Sequence, residues 1–101
     1  MNKKQIEELI KITREVSLYI ENEKIDEAYH KAAIALGPIR DFVMILLELE
    51  ILEQDMALML MTDLVEAIEY KDEVLLLDTF KYGIGILLQN ILSIMEEEEN
   101  E

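Results

Sequence analysis

An all-α fold, an antiparallel four-helix bundle built from two helical hairpins, is what this sequence predicts, and three observations carry the prediction. Glycine and proline, which punctuate helices, are scarce: three and one in 101 residues. β-branched residues never alternate with polar ones over the length of a strand. Apolar residues instead return every three or four positions in four blocks parted by short charged runs. Four amphipathic stripes joined by short loops bury themselves most simply as a bundle.

The first block predicts a helix from Lys3 to Glu21. Asn2, followed three residues later by Gln5, has the spacing of a capping box, in which each residue satisfies the other's orphan amide. Ile6, Leu9, Ile10, Thr13, Val16, Ser17 and Ile20 then fall on one face, and the polar run "ENEK" at 21–24 closes the helix.

The second helix starts at Ile25, where Asp26 and Glu27 suit the positive end of its dipole. Gly37-Pro38 should break it, because proline removes a hydrogen bond and disfavours helical backbone in the residue before it. Yet Ile25, Ala28, Tyr29, Ala32, Leu36, Ile39, Phe42, Val43, Leu46 and Leu49 hold one register across the pair. The expectation is one helix to about Leu52, kinked at Gly37-Pro38.

Continuing that register would bury Glu53, so "EQD" at 53–55 reads as a turn, with Asp55 as N-cap of a third helix from Met56 to Glu69. "YKD" at 70–72 is the next turn, and Asp72 caps the fourth helix. There Val74, Leu77, Ile84, Leu88, Ile91 and Met95 form the expected core seam. Residues 1–95 make one domain; the acidic tail 96–101 is expected to fray, since carboxylates gather at the negative end of a helix dipole. "YIENEKIDEA" (19–28) and "AIEYKDEVLL" (67–76) echo one another as a helix end, a charged hinge with lysine and an acidic restart. That supports two similar hairpins, although acidic, leucine-rich composition produces such an echo without duplication.

The chemistry is largely one of exclusions. No cysteine is present, so disulfides, thiolate nucleophiles and cysteine zinc sites are ruled out. Nine Lys and Arg against 23 Asp and Glu leave a net charge of −14, which repels nucleic acid. The longest uninterrupted apolar runs, Phe42–Leu47 and Met56–Met61, are six residues each, against the roughly 20 of a transmembrane helix. Glu7 and Glu8 stand where a signal peptide would be apolar, so a soluble, cytoplasmic protein is expected.

Glu27 and His30 form a Glu-x-x-His unit of the kind used by di-metal bundles, but such a site needs a second copy and the chain has one histidine. Ser17 and Ser93 lack a His–acid pair, and "GIG" at 83–85 is not a dinucleotide fingerprint. A non-enzyme without metal or cofactor is the expectation, with a metal–carboxylate enzyme as the discarded alternative.

What remains is surface. Between Asp41 and Ile68 the apolar residues exceed one stripe: Met44, Ile45, Leu47, Ile51, Leu58 and Met61 lie off it. Four of the six methionines fall between Met44 and Met61, and flexible methionine suits an adaptable interface. These residues, with Met59, are the candidate interface, facing either a second copy in a homodimer or an amphipathic segment of another protein. Completion of the core is the plain alternative. Gly83, expected to let a neighbouring helix approach closely, and Gly85, expected to meet a second chain or merely be tolerated, complete the candidate interface.

"EAIEYKDEVLLLDTFKYGIGILLQNIL" (66–92) resembles the C-terminal half of a family of small all-helical domains of unknown function from Firmicutes. The family pattern is E-A-L-E-x-K-D-x-x-L-x-x-D-x-x-x-Y-E-L-x-P-x-L. Glu66, Ala67, Glu69, Lys71, Asp72, Leu75, Asp78 and Tyr82 carry the resemblance, and "IDEA" at 25–28 extends it loosely. Where the pattern has Glu and then Pro after Tyr, this chain has Gly83 and Ile86. The resemblance implies a neighbourhood of motility genes and a layout similar to that of flagellin export chaperones, acidic bundles that clamp disordered flagellin termini. It transfers no binding residue, because the motifs do not align.

Overall fold

The structure, a computed structural model, describes residues 1–99. Four helices account for it, with no strand among the described residues. They are α1 (Lys3–Glu21), α2 (Ile25–Glu48), α3 (Gln54–Glu69) and α4 (Glu73–Glu99). The last has three parts: an α-helical turn Glu73–Leu77, a π-helical stretch Asp78–Ile84 and an α-helical run Gly85–Glu99.

Helix α1 starts at the expected capping box. The Gln5 amide donates to Asn2 Oδ1 at 2.9 Å, and the Asn2 amide to Gln5 Oε1 at 2.8 Å. Ile6, Leu9, Ile10, Thr13, Val16 and Ser17 are buried, so the apolar face reads as expected, while Ile20 is half-buried. The two buried hydroxyls stay within the helix: Thr13 Oγ1 donates to the Ile10 carbonyl and Ser17 Oγ to the Thr13 carbonyl.

Helix α2 passes through Gly37-Pro38 without interruption. Glycine before the proline is what permits this, because the clash that disfavours helical backbone there involves the preceding Cβ. Ala28, Ala32 and Ala35 are fully buried beside Tyr29, Ile39, Phe42, Val43 and Leu46. Three small side chains on one face let a neighbouring helix approach closely, and α2 packs extensively against α1. The helix ends at Glu48, not Leu52; Leu49 is exposed, so the last residue of the expected register never enters the core.

All three helix ends before a turn close in one way. The amides of Lys24, Ile51 and Asp72 reach back to the carbonyls of Tyr19, Leu46 and Ala67, while Glu23, Glu50 and Lys71 adopt positive φ (61°, 58° and 52°). This Schellman closure normally places glycine in the left-handed position. Here the glycines lie inside helices and charged residues occupy the left-handed sites. The echo between 19–28 and 67–76 is thus two uses of a turn that also occurs at 46–51, where the echo is absent. Glu23→Gly is expected to stabilise the fold by about 1 kcal/mol by relieving the left-handed penalty. A denaturant midpoint that fails to rise contradicts this.

Helix α3 starts two residues earlier than expected: Glu53, not Asp55, is the N-cap, and Asp55 sits in the first turn. The carboxylate still favours the helix through the dipole rather than through a side-chain cap. Asp72 does cap α4, accepting from the Leu75 amide at 3.0 Å.

The core seam of α4 departs from expectation. Leu76, Thr79, Phe80, Ile84 and Leu88 are buried, whereas Val74 is 72% exposed and Leu77 half-buried. In an α-helix residues spaced by four drift about 40° around the axis per step. The wider π turn, with i→i+5 bonds such as Gly85 N–H to Phe80 O, offsets that drift and keeps 76, 80, 84 and 88 in one row. Val74 is left outside it. The helix also persists through Glu96–Glu99, where fraying was expected, and Lys3 Nζ meets Glu99 Oε2 at 2.8 Å. That cation at the negative end of the dipole, its pKa raised by the hydrogen bond to Glu99, offsets the crowding of carboxylates. Asn100 and Glu101 lie outside the described residues.

Tyr29 carries a polar atom the core does not satisfy: its hydroxyl is buried and has no protein partner. Burial first, then Glu73 and Asp72, raises its pKa above the usual tyrosine value. The neutral phenol is therefore favoured in the fold, and the stability this contributes is present below pH ~10 and lost as pH rises through the raised value. Tyr29→Phe is expected to stabilise by about 1 kcal/mol and to remove that alkaline loss; a lower melting temperature contradicts it.

Candidate interaction surface

Two helices of the fold offer matching quartets. Arg40, Val43, Met44 and Leu47 recur on α2 at steps of three, four and seven, and Gln54, Ala57, Leu58 and Met61 repeat the same spacing on α3. One face of each helix thus borders a groove of about 240 Å³. Val43 and Ala57 are buried at its floor, while Met44 and Leu58 are 51% and 67% exposed.

Of the nine candidate interface residues the structure brings together Met44, Leu47, Leu58 and Met61. Ile51 is exposed in the α2–α3 turn and Met59 is exposed elsewhere on α3; neither borders the groove, and Ile45 is half-buried. The glycines stand apart. A Cβ on Gly83 would lie 3.0 Å from Leu60 Cδ2, so α3 approaches α4 closely there, as the missing side chain suggested. A Cβ on Gly85 would lie 2.7 Å from the Phe80 carbonyl oxygen, so the π stretch of the same chain accounts for this glycine without a second chain.

The groove continues at both ends. A hollow at the α2–α3 turn shares Leu47 and Gln54 with it and adds Glu50 and Glu53. A hollow farther along α3 shares Met61 and adds Val65, Glu66, Glu69 and Tyr70. Together the three hollows follow α3 from Gln54 to Tyr70 as a trough, lined at its far end by α3 and Tyr70 alone. From Asp41 to Tyr70 the chain has eight acidic residues and no lysine, arginine or histidine. Arg40, at the groove's edge, lies 3.6 Å from Asp41.

A larger hollow, about 580 Å³, lies between α1 and α4 beside the π stretch. Leu18, Phe80 and Ile86 contribute apolar surface, and Lys81 pairs with Glu21 at its border at 3.4 Å. That pair gives the two charges each other as partners; Arg14, Gln89 and Asn90 also line the hollow. It was illegible in the sequence, because it depends on where the π stretch sets Phe80 and Gly85.

Groups suited to catalysis do not converge. Glu27, His30 and Ser93 are exposed, and the Ser17 hydroxyl is engaged in its own helix. Among the described residues no three His, Cys, Asp or Glu side chains come together in a metal-binding group. Helix α4 is long and apolar enough to cross a membrane by length and composition, a test that core helices also pass. Its Leu76, Phe80, Ile84 and Leu88 are buried against the rest of the chain, although only 28% of its apolar window is.

Comparison with family models, curated proteins and solved structures returns no match to this chain.

Proposed function

We propose that this chain is a non-enzymatic protein-binding module, a chaperone-like or adaptor bundle working in the cytoplasm, with the α2–α3 groove as its binding surface. The observation that carries the reading is the groove itself: Met44, Leu47, Leu58 and Met61 line a depression between two helices and remain accessible. Apolar grooves of this kind accept the apolar face of a helix.

The antiparallel arrangement of two hairpins belongs to the same proposal. It is supported by pairing of Lys3 at the start of α1 with Glu99 at the end of α4, and of Glu21 at the end of α1 with Lys81. Short connections, 22–24, 49–53 and 70–72, suit antiparallel neighbours. The link to motility rests on the resemblance of residues 66–92 alone.

The test is light scattering over a dilution series with an environment-sensitive hydrophobic dye, on the wild type and on Leu58→Glu and Met61→Glu. The expected result is a monomer that binds dye, with the signal at least halved in both variants while far-UV circular dichroism is unchanged. A dimer that persists at nanomolar concentration and ignores the dye would replace this reading with a structural homodimer. Dye binding undiminished by either substitution would move the surface elsewhere.

A further inference from the structure

We propose that the occupant of the α2–α3 trough is a cationic amphipathic helix of another protein, about sixteen residues long, apolar in its middle and basic at both ends. The inference rests on the groove being a binding surface and goes on to specify what binds.

The form of the partner follows from the form of the site. The groove is bordered by two helices, each presenting residues at steps of three, four and seven, and no strand edge exists among the described residues. An extended peptide would find no row of backbone groups to pair with, whereas a helix satisfies its own. Its side chains at the same helical spacing interdigitate with those of α2 and α3. Length follows from α3, whose 16 residues span about 24 Å.

Charge selects among helices. Glu50 and Glu53 stand at one end of the trough, Glu66 and Glu69 at the other, and Arg40, beside Asp41 at the groove's edge, is the one cation among the residues lining it. Covering the trough with a second copy would set these four acidic residues against another four. A partner with lysine or arginine at both ends turns that repulsion into attraction and gains in encounter rate. The methionines supply the adaptability that lets one groove take apolar faces of differing detail.

Fluorescence anisotropy with three labelled 18-residue peptides tests this on the full chain. All share one leucine face; the end positions carry Lys, Gln or Glu. The expected result is that the Lys peptide binds at least about tenfold tighter than the Gln peptide at 50 mM salt, and that 300 mM salt removes most of the preference. The Glu peptide should not bind. The double variant Glu53→Gln/Glu66→Gln, altering exposed groups only, should reduce the preference about threefold, while Leu58→Glu should remove binding of both the Lys and Gln peptides.

Equal binding of Lys and Gln peptides, still abolished by Leu58→Glu, would overturn the cationic inference and leave the groove as a binding surface. Failure of every peptide to bind would overturn both. A dimer dispersed by Leu58→Glu would make a second copy the occupant and overturn the inference as well.

Discussion

Phe80→Ala is expected to lower the unfolding free energy by about 3–5 kcal/mol, because a fully buried phenylalanine leaves both lost transfer energy and a cavity. Small domains have only about 5–15 kcal/mol in total, so the variant should melt roughly 15 °C or more below the wild type. Phe80 is completely inaccessible and lies in the π stretch, where it shares a row with Leu76, Ile84 and Leu88. The informative control is Val74→Ala. A uniform α-helix places Val74 in the core seam; in the structure it is exposed, and its truncation should change stability by no more than about 0.5 kcal/mol. If Val74→Ala proved as damaging as Phe80→Ala, the row set by the π stretch would be wrong.

Gly85→Ala should destabilise the protein by about 1–3 kcal/mol, the range for overfilling a packed site. The sign is the point. In an ordinary helix interior the same substitution stabilises by about 1 kcal/mol, through propensity alone. Here the added methyl meets the Phe80 carbonyl oxygen at 2.7 Å, and that oxygen is the acceptor for the Gly85 amide itself. Backbone cannot swing away as a side chain can. Gly83→Ala, two residues earlier, faces only the tip of Leu60 at 3.0 Å and should be close to neutral. Paired denaturant titrations of the two variants decide the matter: equal effects would mean that the π stretch does not hold Gly85 against Phe80. Such a variant also cannot serve as a clean probe of partner binding, since it acts on the fold first.

The candidate surface was legible in part. Met44, Leu47, Leu58 and Met61 stand out because they are apolar and off the main stripe, a property of the sequence alone. Arg40, Val43, Gln54 and Ala57 complete their quartets but look unremarkable, being polar, small or already assigned to the core. Ile51 and Met59 carry the same apolar signal as Leu58, yet Ile51 lies in the turn between α2 and α3 and Met59 on another face of α3, both off the groove. Periodicity reports which face a residue occupies on its own helix; it does not report which faces of two helices meet.

Neighbouring residues along the chain were enough to specify the all-helical class, the first helix to its end residues, the capping of α1 and α4, the buried face of α1 and the continuity of α2 through Gly37-Pro38. Each depends on neighbours within a few positions: capping groups, residues one turn apart, the local sterics of a Gly-Pro pair. Packing between helices was needed to show that α4 widens into a π turn, that Glu and Lys rather than glycine hold the left-handed turn positions, and that two quartets border one groove. Those outcomes balance a local cost, an unfavourable φ or a displaced hydrogen bond, against burial gained from helices distant in sequence. That balance is set by packing between helices, and no local window of the chain contains both sides of it.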